Sequence, residues 1–435
     1  MNPALLCGII MIICVLVLLM LGAPISISIG MASVFAMLVF MPWQTTALMA
    51  SQKIFSGINS FSLLALPFFI LAGIIMNNGG IARKLVNCAK LLVSPMPGSL
   101  AQTNIVANML FGAVSGSGAA AAAAIGGIMG PLEEEEGYDK RFSTAVNIAS
   151  APTGMLIPPS NTLIVYSTVA GTVSISALFM AGYLPGILWG FGNMIVCAIM
   201  AKKLGYKGKP SGLTIREKAL VVLDAVPSLM LIVVIIGGIL GGIFTATEGS
   251  AIAVVYASVL SAIYRTIKPK QIPKILLEAA NMTSIIILMI GISTIMSYVM
   301  AYTGIPTIIA NGLMGLTSNK YAILLIMNVF LLFLGMVMDP TPAILIFTPI
   351  FLPICMSFGM HPVHFGIMIT FNLCIGAITP PVGTVMFTGC RVAGMKIEDV
   401  FTRLLPNFAM TILVLFIVTF IEPISLFLPR LLGLI

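Results

Sequence analysis

Two short stretches carry the most unusual chemistry of this chain. "GMLIPPSNT" runs from Gly154 to Thr162 and "GAITPPVGT" from Gly376 to Thr384, with Gly, the Pro-Pro pair and Thr at matching positions about 220 residues apart. Strongly apolar sequence surrounds both. Proline removes an N–H donor and so frees a carbonyl, glycine lets the chain turn, and the half-helix ends beside such a break carry partial charges of both signs. Free carbonyls with hydroxyls suit Na⁺, while helix N-termini suit a carboxylate. Each Pro pair could also do no more than kink a membrane helix. Matched breaks, each preceded by its own polar-tipped apolar segment, point instead to a site.

The polar tips supply the remaining groups. "SGSG" (Ser115 to Gly118) offers Ser115 and Ser117, and opposite it Gly154, Ile157 and Pro159 can present carbonyls, with the Ser160 and Asn161 side chains beside them. Together they make one cation site with a substrate site next to it. The second tip, "DPTP" (Asp339 to Pro342), holds the acid expected at membrane depth. Burying it there costs about 2.5–3.5 kcal/mol, which makes a functional role the default. Asp followed by Pro is also a good N-cap and N1 pair, and the two roles can coexist. The matching second cation site would use Gly335 or Met338 carbonyls with Gly376, Thr379 and Pro381 opposite.

Other polar residues read more simply. Glu248 in "TATEGSAI" caps a helix start, and Glu133 to Glu136, beside Asp139, Lys140 and Arg141, read as a solvated cytoplasmic turn. His361 and His364 in "HPVH" suit a loop turn, and the seven scattered cysteines suit small core positions. No phosphate-binding loop or metal-hydrolase spacing occurs, and no nucleophile has a positioned base. An enzyme is therefore not expected, and no organic cofactor.

These groups need a membrane fold to position them. Of 435 residues, 59% are hydrophobic and only 8% charged, and apolar runs near the length of a bilayer crossing recur throughout. The reading is an all-α polytopic membrane protein with a retained first span. Its runs form two copies of one unit, 1–201 and 219–435, joined by a basic linker over 202–218. The segments 100–131 and 321–357 are too long for one crossing and suit re-entrant hairpins, whose non-helical tips need protein or water around them. The broken helices fall over 143–171 and 363–390. Each half then crosses five times, ten in all, so the second half is inverted. With the N terminus outside, only Lys53, Lys320 and Arg430 of the 21 Lys and Arg lie outside; the rest, Lys209 in the linker included, face the cytoplasm. "IARKLVNCAKLLV" (Ile81 to Val93) suits an amphipathic helix lying at that interface.

"SGSGAAAAAAIGGIMGP", "APTGMLIPPSNTLIVYS", "AGYLPG" and "TPPVGT" resemble the large membrane subunit of tripartite ATP-independent periplasmic (TRAP) transporters, over essentially the whole chain. That resemblance implies a Na⁺-driven, elevator-type importer of organic acids in the bacterial inner membrane. It would work with a small four-helix membrane subunit and a periplasmic substrate-binding protein. By motif, it places one Na⁺ site on Ser115, Ser117, Gly154, Ile157 and Pro159, and a second on Gly335, Met338, Gly376 and Thr379, which Pro381 joins by position. It places the substrate near Ser117, Ser160, Asn161 and Asp339. Sialic acid is the expected cargo, because Asp339 would repel a carboxylate and prefer hydroxyls; a C4-dicarboxylate is the alternative within the family. A channel is the alternative from another class. Hairpins and broken helices are expected to move as one body against a scaffold of the first, second, third and last spans of each half.

Overall fold

The computed structural model describes residues 3–208, 213–317 and 319–435, so part of the expected linker, Lys209 included, lies outside the described residues. Helices of the first half are α1 (Pro3–Met20), α2 (Ile25–Met37), α3 (Trp43–Ile58), α4 (Ala65–Asn78), α5 (Ile81–Val93), α6 (Ser99–Ser115), α7 (Gly118–Glu135), α8 (Lys140–Ser150), α9 (Asn161–Ala170) and α10 (Ile175–Lys203). Those of the second are α11 (Ile215–Leu240), α12 (Ala246–Ile263), α13 (Ile272–Thr303), α14 (Ile305–Leu316), α15 (Lys320–Gly335), α16 (Pro340–Ser357), α17 (Pro362–Gly376), α18 (Thr384–Ala393), α19 (Ile397–Phe420) and α20 (Pro423–Leu431). No strand occurs among the described residues.

Six helices among them are long and apolar enough to cross a bilayer: α10, α11, α12, α13 with its short lead-in, α16 and α19. Length alone does not make α16 a crossing, since it follows α15 after a short connection and both pack on α17. Helix α5 turns away from α4 by 73°, as an interfacial helix should, and buries Leu85, Val86 and Ala89. Its Lys84 pairs with Asp224 of α11.

Three local features differ from the sequence reading. Helix α3 was not anticipated; the second half runs the stretch equivalent to α3 and α4 together in the single long helix α13. Both ends of the expected linker are helical, because α10 continues to Lys203 and α11 begins at Ile215 behind a Thr214–Glu217 capping box. The short helices α14 and α20 were also not anticipated.

Tertiary contacts sort the helices into two groups. Helices α1 to α4 pack with α12 and α13, and α11 packs on α5 and α12, whereas the hairpins and broken helices pack together with α10 and α19. The last span of each half therefore belongs with the central body, not with the scaffold as expected. Trp189 shows why: this fully buried ring on α10 stacks on Phe371 of α17 at 4.7 Å, and its Nε1 donates to Thr411 Oγ1 of α19 at 3.0 Å.

Each hairpin is seated on its broken helix by a glycine crossing. A methyl group built on Gly154 would lie 2.1 Å from Gly112 Cα, and one on Gly376 would lie 2.2 Å from the Gly335 carbonyl carbon. No other residue fits there without moving backbone. Gly154→Ala and Gly376→Ala should each lower the thermal unfolding midpoint in detergent by several degrees, in line with overpacking costs of about 1–3 kcal/mol. Gly312→Ala, inside α14 where nothing lies within 4 Å, serves as the control and should leave it unchanged or raise it slightly.

Candidate functional site

In the first half, Ser115 closes α6, Gly116 turns at φ +60°, and Ser117 caps α7 by accepting from the Ala120 N–H at 3.3 Å. Ser115 Oγ donates to the Ser117 carbonyl at 3.5 Å. A Cβ on Gly116 would meet Asn161 at 3.2 Å, so the tip rests on the start of α9. Between α8 and α9 the chain makes a 3-10 turn over Ala151–Met155 and then passes through the cis Pro158–Pro159 bond.

Ser160 holds this break from inside. Its Oγ accepts from the Leu163 N–H at 3.4 Å and donates to the Met155 carbonyl, which Thr162 Oγ1 also reaches at 3.0 Å. Ser160, expected near the substrate, is 0% exposed in this conformation and turned onto the Met155 carbonyl. Asn161 stays half-buried against the hairpin tip. Among the described residues no donor reaches the Ile157 or Pro159 carbonyls. Helix α10 closes the other side, with Gly182 pressed on the Leu156 carbonyl and Gly186 on Ile157.

The second half repeats the plan with different bonds. The Val382 N–H donates to the Met336 carbonyl at 3.0 Å, tying break to hairpin tip. Thr379 spends its hydroxyl on the Ile375 carbonyl at 2.7 Å and its N–H on the Gly376 carbonyl at 2.9 Å. The carbonyls of Gly335, Met338, Thr379 and Pro381 receive no donor among the described residues. Where Ser160 caps α9, Gly383 stands before α18 with φ +31° and no side-chain cap.

Asp339 occupies the N-cap position of α16 but makes no side-chain cap bond. Its Oδ1 accepts instead from Thr384 Oγ1 at 2.8 Å, while the residue stays exposed. It has no ion-pair partner among the described residues. Thr384 was not singled out from sequence, although it ends the "GAITPPVGT" stretch. A Cβ on Gly118 would lie 3.0 Å from both Met155 Sδ and Val385 Cγ2. Ser117 and Asp339 are thereby linked across the two halves, through Gly118 to Val385 and from Thr384 to Asp339.

The lesser candidates resolve as follows. Glu248 forms a capping box with Thr245, and six of the seven cysteines are buried. His361 caps α17 through Nδ1, but His364 is a buried helical residue against the Thr419 carbonyl, not part of a loop. Glu133 is 1% exposed, so it is not on a solvated turn; Glu134 pairs with Lys140 at 2.6 Å instead. A cavity of about 700 Å³, lined by hydroxyls that include Ser60, Ser167, Ser174, Thr247, Ser293 and Ser297, lies between the α9–α10 junction and helices α3, α12 and α13.

Residues 12–424 match the family described as tripartite ATP-independent periplasmic transporter, DctM component. An uncharacterized protein, YgiK, of Salmonella typhimurium is 51% identical, the match covering 95% of each chain. The isethionate TRAP transporter permease protein DctMQ of Oleidesulfovibrio alaskensis is 39% identical over 94% of this chain and 64% of its own. The sialic acid TRAP transporter large permease protein SiaM of Vibrio cholerae is 35% identical over 95% of this chain and 96% of its own. Among solved structures, the Alcanivorax borkumensis YdaH transporter shares the fold with a TM-score of 0.66 at 13% identity, covering 96% of this chain and 98% of that one.

The Asp339 geometry sets a stability test. Asp339→Asn keeps an acceptor for Thr384 and removes no cap, so its unfolding midpoint should match the parent. Thr384→Val should cost about 1 kcal/mol, the net worth of one hydrogen bond, readable as a small drop in the same melt.

Proposed function

The chain belongs to the DctM family of large permease subunits of tripartite ATP-independent periplasmic transporters, and on that premise we propose that it imports a hydroxylated organic acid together with Na⁺. The observation that carries this reading is the pair of matched breaks, each offering donor-free carbonyls to a facing hairpin tip. Such a shell attracts a small hard cation without needing a carboxylate. The first ion would be held by Ser115, Ser117, Gly154, Ile157 and Pro159. The second would be held by Gly335, Met338, Gly376, Thr379 and Pro381.

Substrate binding is assigned to Ser117, Asn161, Asp339 and Thr384, with Ser160 positioning the break that carries Asn161. Asp339 already accepts from one hydroxyl, so a substrate hydroxyl can take the same geometry, while a substrate carboxylate is left to the Ser117 and Asn161 side. A sialic acid fits this arrangement better than a dicarboxylate, whose second charge would meet Asp339. Relatives are named for isethionate, sialic acid and C4-dicarboxylates; the first two are hydroxylated anions.

Movement is assigned to the body of hairpins, broken helices, α10 and α19, sliding as an elevator against α1 to α4 and α11 to α13. A small membrane subunit and a periplasmic binding protein would complete the system in the inner membrane, with the N terminus on the periplasmic side. The test is uptake into liposomes by the chain with both partners, across a panel of organic acids under an imposed Na⁺ gradient. Ser115→Ala with Ser117→Ala should reduce the Na⁺ dependence of uptake, and unchanged dependence would remove the first ion site. Asp339→Asn should fold normally and lose uptake by at least about tenfold, the effect of about 1.4 kcal/mol; normal uptake would remove Asp339 from the site.

A further inference from the structure

One carboxylate has no part in this scheme. Glu133 lies near the end of α7 on the side assigned to the cytoplasm, 1% exposed. Its Oε1 accepts one long hydrogen bond from Asn104 Nδ2, at 3.5 Å, and its Oε2 accepts none. No ion pair reaches it among the described residues, since Lys140 is engaged by Glu134. An ionised carboxylate buried without a counter-charge costs several kcal/mol. Either a proton on the carboxylate or a cation beside it has to neutralise it.

The groups around Glu133 leave buried oxygens without donors. Asn108 Nδ2, with two hydrogens to give, faces three side-chain oxygens: Asn104 Oδ1 at 2.8 Å, Ser150 Oγ at 2.9 Å and Asn147 Oδ1 at 3.0 Å. The Asn147 amide is spent on the Ala122 carbonyl at 2.9 Å, and Asn108 Oδ1 has no partner. Glu133 Oε2 and Asn108 Oδ1 are thus two buried oxygens that no donor reaches, positions that a cation can fill. A Cβ on Gly126 would lie 2.4 Å from Asn147 Nδ2, so glycine is what lets α7 approach α8 here.

Glu133, Asn104, Ser143, Thr144 and Asn147 line a pocket of about 170 Å³. That volume has room for an ion with several waters. The cluster also leads to the first break, because the Ser150 carbonyl accepts from Thr153 Oγ1 at 2.6 Å, one residue before Gly154.

We propose that Glu133, with Asn104 and Asn147, forms a third cation site, for Na⁺, through which the ion leaving the first break passes to the cytoplasm. It rests on the Na⁺ coupling proposed above. The probe is ²²Na⁺ itself, bound to the purified full chain in detergent by equilibrium dialysis with choline as balancing cation. Glu133→Gln should saturate at one Na⁺ fewer than the parent, and Ser115→Ala with Ser117→Ala should remove a different one, so that the combined variant loses both. Asn104→Ala, which keeps the carboxylate, should weaken one Na⁺ by roughly tenfold and stands in if Glu133→Gln fails to elute as a single folded species. An unchanged number of bound Na⁺ in Glu133→Gln, or unchanged affinity in Asn104→Ala, overturns the site. So does a variant altering only the pH profile of binding, which would show that Glu133 carries a proton. A parent chain that binds no Na⁺ at all would sink the coupling reading first, and this site with it.

Discussion

The contact on which the rest depends is backbone against backbone, where Gly112 meets Gly154 and Gly335 meets Gly376. Each crossing lets a hairpin arm touch a broken helix with no side chain between them. Only then can carbonyls from the break and hydroxyls from the tip share one small volume. The cost of the break, with its carbonyls lacking donors, is tolerable because the surrounding protein encloses it. Function and packing are inseparable at these four glycines.

The two halves use one plan but close it differently. Ser160 clamps the first break through its hydroxyl, whereas the second relies on Gly383 backbone and on the Val382 bond to Met336. A hydroxyl-locked break is closed inward and leaves Asn161 as its outward side chain. The glycine-closed break leaves Thr384 free to meet Asp339. On the proposed function, the pseudo-symmetry serves the ions and the asymmetry serves the substrate. Asp339 illustrates the point, since it sits in a capping position yet spends its side chain across the gap.

Much of this was legible in the sequence because it lies in local chemistry. Pro pairs, glycines and polar tips fall where they interrupt apolar runs, and interruption needs no tertiary partner to be seen. The Thr245–Glu248 capping box was readable for the same reason. Glu133 was misread because a run of four acids next to basic residues has the pattern of a solvated turn. Whether one of the four turns inward depends on the α6 and α8 side chains facing it, which only the packing of these helices brings to it. The grouping of α10 with the central body was misread likewise, for its stretch has the hydropathy of any span and only the Trp189 contacts with Phe371 and Thr411 place it.

By itself the sequence determined the class, the duplication, the two hairpins and the two breaks, since bilayer thickness and backbone hydrogen bonding act on every segment independently. Tertiary structure alone decided which glycine crosses which, that Thr384 answers Asp339, that Ser160 faces inward and that Glu133 is buried. Those outcomes are contacts between residues distant in the chain, and their energies exist only once the halves have packed.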